Sequence, residues 1–100
     1  MEELEWKVLS LTAKRGLIGA TREDFFREIR MVRYEDLEDA IRLLETEGYI
    51  AIEWTGPNKF ILTVTEKGSK LAATEYEKRL KAYQDRIDSQ RKAVGGVERI

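Results

Sequence analysis

The chain has 100 residues, 42% hydrophobic and 37% charged, which is one domain with one modest core and no room for a second. Eighteen Lys and Arg against nineteen Asp and Glu leave a net charge of −1, so any nucleic-acid or membrane binding has to come from local charge asymmetry. His and Cys are both absent, which excludes disulfides, zinc fingers, thiolate sites and imidazole catalysis.

Leu4, Val8 and Leu9, with Leu11 or Thr12, fall on one helical face, and Trp6 and Ala13 lie near its edges. This predicts a first helix over residues 2–14, ended by Gly16 in the left-handed conformation. Leu17-Ile18-Gly19-Ala20 is too short for a helix and reads as a small strand. Thr21 opens a second helix as its cap, with Glu23 and Asp24 in the first turn, where the helix dipole favours negative charge. Phe25, Phe26 and Ile29 supply its buried face, and Arg30-Met31-Val32-Arg33 forms the turn into a third helix over residues 34–47. There Leu37, Ala40, Ile41 and Leu44 repeat at three and four residues, Leu43 widens the stripe, and Gly48 ends it.

The period then switches to two. Ile50, Ile52 and Trp54 alternate with Ala51 and Glu53, and Phe60, Leu62 and Val64 alternate with Ile61 and Thr63. The turn cluster Thr55-Gly56-Pro57-Asn58 joins them into a β-hairpin. Thr65 caps a last helix running from Glu66 to about Ala93, stopped by Gly95-Gly96. Ala73, Tyr76, Leu80, Tyr83, Ile87, Gln90 and Val94 form a heptad seam roughly 40 Å long on it. A helix of that length cannot fold back wholly onto so small a body, so much of the seam is expected to meet another chain. The expected division is a domain over 1–65, a dimerisation helix over 66–94 and a flexible tail over 95–100.

The run Ala40-Ile41-Arg42-Leu43-Leu44-Glu45-Thr46-Glu47-Gly48-Tyr49-Ile50 resembles the junction between third helix and wing in winged helix-turn-helix proteins. Val64-Thr65-Glu66-Lys67-Gly68-Ser69-Lys70-Leu71 is similar to the exit from the wing in the same family. The resemblance covers residues 4 to about 71. It implies an α+β, mostly α fold: three helices and a β-hairpin wing, followed here by a long C-terminal coiled-coil helix. With that helix, the chain is similar to dimeric DNA-binding regulators, which implies double-stranded DNA and a second copy of the chain as partners. Fold alone does not fix function.

In that family the exposed face of the third helix enters the major groove. By alignment the outward positions here are Glu35, Asp36, Glu38, Asp39 and Arg42, four of them acidic. Residues 34–48 carry one base and six acids, whereas residues 14–33 carry six bases and three acids. Phosphate repulsion therefore works against entry of the third helix. Its carboxylates read as a solvated face favoured by the helix N-terminus, as a docking face for a basic protein, or as base contacts. Arg22, Arg27, Arg30, Arg33 and Arg42, with Asn58 and Lys59 at the wing tip, are the candidate DNA contacts, gripping the backbone rather than reading bases. Lys14 and Arg15 lie beside them. For each arginine the plain alternative is a surface ion pair.

The candidate dimer contacts are Ala73, Tyr76, Leu80, Tyr83, Ile87 and Val94. Tyr76 and Tyr83 occupy seam positions where a tight parallel pair prefers Leu. They suit a wider contact, antiparallel or against the partner's first helix, or a cavity for an aromatic effector. The alternative function is a protein-binding module that uses the acidic third helix without DNA. No catalytic constellation, phosphate loop, cofactor motif or metal-ligand spacing is present, and no enzyme activity is expected. The acidic start, Met1 to Glu5, lacks the basic region of a signal peptide, and no apolar run approaches about 20 residues, so a soluble cytoplasmic protein is expected. Scarce Asn and Gln beside abundant Glu, Lys and Arg give the composition a thermophile-like lean.

Overall fold

The computed structural model describes residues 1–98, with side chains described through residue 89. It is α+β and mostly helical. Helix α1 spans Glu3–Arg15 and is followed by a 3-10 turn at Gly16–Ile18 and strand β1 at Ala20–Thr21. Helices α2 (Arg22–Glu28) and α3 (Tyr34–Thr46) precede strands β2 (Ile50–Gly56) and β3 (Lys59–Val64), and α4 (Glu66–Glu98) closes the order. The sheet is antiparallel with order β1-β3-β2.

The core lies where α1, α2 and α3 cover one face of this sheet. Val8 and Leu9 of α1, Phe25 of α2, Leu37 and Leu44 of α3 and Leu62 of β3 are all but fully enclosed. Burying side chains of this size supplies roughly 1.5–3 kcal/mol each, which makes them the main source of stability. Each α3 core position falls on the three- and four-residue repeat read from the sequence. Gly48, at φ +82°, turns the chain out of α3, and the Tyr49 amide then donates to the Leu44 carbonyl at 2.9 Å. Cross-strand pairs Ile50–Val64, Ile52–Leu62 and Trp54–Phe60 share one face. The hairpin runs past the core, so Trp54 at its far end stays 60% exposed, edge-on to Phe60 with ring centroids 5.8 Å apart.

Four expectations need correction. Leu17 and Ile18 are not in a strand: they lie in the 3-10 turn, exposed, and only Ala20–Thr21 pairs with β3. Gly19, at φ +87°, turns the chain onto β3 so closely that a β-carbon there would sit 2.4 Å from the Ile61 side chain, and pairing starts only after it. Phe26 is 39% exposed, because α2 has only seven residues and turns Phe25 rather than Phe26 into the core. Gly95-Gly96 does not stop α4, which continues to Glu98. Glycine inside a helix costs about 1 kcal/mol but breaks no hydrogen bond, so without a left-handed turn the helix carries on. The expected tail at 95–100 is therefore helical through residue 98, and residues 99–100 lie outside the described residues.

The base of α4 is locked to the α3–β2 junction. Thr65 accepts from the Gly68 amide at 3.0 Å, as a helix cap does, while its own hydroxyl donates to the Gly48 carbonyl at 2.6 Å. The Lys67 ammonium donates to the Glu47 carbonyl at 2.7 Å and lies 4.7 Å over the Tyr49 ring. Two turns beyond buried Ala72, Arg79 donates to Glu3 at 3.0 Å and to Glu75 at 3.1 Å, with its guanidinium 4.9 Å over Trp6. These bonds hold the Arg79 pKa above its usual value, the bond to Glu3 most of all. Past Arg79 the helix leaves the body. Its 33 residues span about 50 Å, and the radius of gyration is 17.5 Å, against about 13 Å for a compact chain of this length. Ala73, Tyr76, Leu80 and Tyr83 are exposed along α4 and Ile87 is half-buried. The Val94 side chain lies outside the described residues. Among the described residues no helix is long and apolar enough to cross a membrane.

Candidate nucleic-acid interface

The seven side chains expected to touch DNA fall into two groups. Arg27, Arg33 and Arg42 are tied to neighbouring carboxylates. Arg27 pairs with Asp24, Arg42 pairs with Glu38 one turn earlier on α3, and the Arg33 Nε lies 3.7 Å from Glu35. All three remain more than two-thirds exposed, at 67%, 77% and 71% in order. Arg22, Arg30, Asn58 and Lys59 have no ion pair among the described residues. Arg30, Asn58 and Lys59 are exposed, with Asn58 at φ +58° forming the hairpin tip.

Asp24 organises the α2 end of this surface. Thr21 and Asp24 form a reciprocal capping box: the Asp24 amide donates to the Thr21 hydroxyl, and the Thr21 amide donates to Asp24 Oδ2 at 2.9 Å. Arg15 approaches the same carboxylate at 3.6 Å, and Arg27 closes on its other oxygen. The Thr21 amide bond, aided by the Thr21 hydroxyl and the two arginines, holds the buried Asp24 below the usual carboxylate range against the opposing pull of burial. Asp24 thus does more than meet the helix dipole. The spacing Thr21-x-x-Asp24 was the signal for the box.

Arg22 is not a free surface cation. Its guanidinium lies 5.3 Å over the Phe26 ring and 5.1 Å over the Tyr34 ring, and those two rings stack at 6.3 Å with 15° between planes. Its Nε is buried without a hydrogen-bond partner. Tyr34 and Phe26 belong to this surface although periodicity assigns Phe26 to the core; the four-residue step from Arg22 to Phe26 is the spacing that brings such a pair together on a helix. Tyr34 also lines a narrow hollow between α3 and the hairpin, together with Glu38, Arg42 and Trp54, floored by Ile41, Ile52 and Phe60.

The acidic side of α3 splits as well. Glu35, Asp36 and Asp39 are exposed, and Glu38 is half-buried. Asp36 and Asp39 face α1, where they join Glu2 and Glu5 around a hollow of about 350 Å³ floored by Leu4, Ala40 and Leu43. Among the described residues no three Asp or Glu side chains are placed to hold a metal ion. No protein-family model, curated protein or solved structure matches the chain.

Proposed function

We propose that the chain is a homodimeric DNA-binding protein of the winged helix-turn-helix class, a transcriptional regulator, with the β2–β3 hairpin as wing and α4 as dimer element. The observation that carries this reading is the hairpin, which runs past the core beside α3 and puts Asn58 and Lys59 at its tip. The grip is on the backbone. Arg30 and Lys59 are open to phosphate. Exposed pairs such as Arg33–Glu35 and Arg42–Glu38 are worth under about 1 kcal/mol, so phosphate can take over those arginines at small cost. The acids of α3 keep that helix from burying itself in a groove of like charge. Titration of the protein against duplex DNA at 50 and 200 mM salt tests this. An affinity that falls steeply with salt is expected; no binding at 50 mM salt with tens of micromolar protein refutes it.

A second reading rests on the hollow between α1 and α3. Four carboxylates, Glu2, Glu5, Asp36 and Asp39, surround an apolar floor in which Leu43 is 43% exposed. That combination suits a basic, amphipathic protein segment, and it makes the chain a protein-binding module. A protein that ignores DNA but binds a Lys/Leu-rich helical peptide, and loses it on Asp36→Asn with Asp39→Asn, fits this alternative.

A further inference from the structure

We propose that the outer surface beside α3 and the β2–β3 hairpin binds an unpaired nucleic-acid strand, a base stacking on the exposed face of Trp54 and a phosphate meeting Arg22 where it lies against Tyr34. This rests on the nucleic-acid reading above and adds a single-strand site to the duplex contacts proposed there. Two ring pairs lie near one another, Phe26 with Tyr34 and Trp54 with the buried Phe60, and Tyr34 and Trp54 line the same narrow hollow. Phe60 is buried and holds the indole edge-on, which leaves Trp54 supported beneath and 60% open. A supported, exposed indole offers a face to any base, and bases present their faces only when unpaired.

The charge on this surface points the same way. Arg22 has no carboxylate partner among the described residues, its Nε has no acceptor, and its plane is already held by two rings. A guanidinium ordered in this manner is ready for an anion and loses little freedom on meeting one. Arg42, on the hollow, is balanced by Glu38. A duplex brings two strands of phosphate toward the acidic face of α3. A single strand crossing this surface brings half that charge density and gains stacking that a duplex cannot offer.

The test is a titration of labelled oligo(dT) and oligo(rU) of about 15 nucleotides and of a duplex of equal length, all at one low salt. Both single strands are expected to bind at least tenfold more tightly than the duplex, and the tighter of the two identifies the sugar. In a Trp6→Phe background, where Trp54 is the only indole, single strands should quench the emission. Trp54→Ala, with an unchanged far-ultraviolet spectrum, should weaken single-strand binding at least tenfold and leave duplex binding within twofold; Trp54→Phe should recover part of the loss. Duplex binding as tight as single-strand binding, or a Trp54→Ala protein of full single-strand affinity, overturns this inference and leaves duplex recognition standing. Failure to bind all three probes overturns both.

Discussion

Gly68 lies against the carbonyl of Tyr49 so closely that a β-carbon would stand 1.9 Å from that oxygen. In an exposed helix, Gly→Ala gains about 1 kcal/mol. Here the clash is with backbone, which cannot rotate away, and overpacking of that kind costs about 3 kcal/mol. The clash wins. Gly68→Ala is expected to lower the melting temperature by roughly 10 °C, and an unchanged or raised melting temperature would show that α4 is not seated on Tyr49.

Asp24 predicts an acid response. Its folded pKa is depressed, so its contribution is complete above the unfolded carboxylate's pKa near 4 and is lost as pH falls through the lower folded value. Asp24→Asn should cost about 1 kcal/mol at pH 7 and flatten the loss of stability below about pH 4. Thermal melts from pH 7 to 2.5 decide it; two curves that stay parallel would be the contrary result. The same variant releases Arg15 and Arg27, and its affinity for nucleic acid should rise.

Arg79 joins α4 to α1 through Glu3 and Trp6. Its planar fork meets two carboxylates and a ring at once, a task lysine's point charge does not match. Arg79→Lys and Arg79→Ala should both speed hydrogen exchange in α1 near Glu3–Lys7, with lysine giving little rescue. Full protection in the lysine variant would show that charge alone suffices.

The stripe of exposed Tyr76, Leu80 and Tyr83 with half-buried Ile87 predicts self-association. Leu80→Asp combined with Ile87→Asp should convert a dimer to a monomer in sedimentation at micromolar concentration. A wild-type monomer, or a double variant that still associates, would remove α4 as the dimer element.

Lys59 at the hairpin tip predicts one phosphate contact. Lys59→Ala should reduce the salt dependence of duplex binding by about one unit of slope. An unchanged slope would take the tip off the DNA.

Much of the fold was legible because backbone demands leave residue-type marks. The repeat in α3, Gly48 after it, and caps Thr21 and Thr65 each appear where the periodicity placed them. Lys67 and Gly68 belong to the wing-exit resemblance, and the structure gives them physical tasks: one ties down the Glu47 carbonyl, the other allows contact with Tyr49. The functional surface was less legible because charge pairing is a three-dimensional property. Arg15 and Arg27 converge on Asp24 only once α2 folds back from β1. Phe26 reads as a core residue by composition, and only the brevity of α2 shows that it must share the surface with Tyr34 and Arg22. Gly95-Gly96 misled because glycine permits a helix end without dictating one.

The lock of Thr65 and Gly68 onto the Gly48–Tyr49 turn makes α4 a spar with a fixed mount rather than a tether. Any assembly built on its far half inherits the distance and the rotational phase of that mount. Seven residues inserted beyond Arg79 would lengthen the spar by about 10 Å and return its stripe to nearly the same bearing. Five would turn the stripe through more than a third of a circle, so the number of residues in α4 would set both the reach and the aim of any body joined to it.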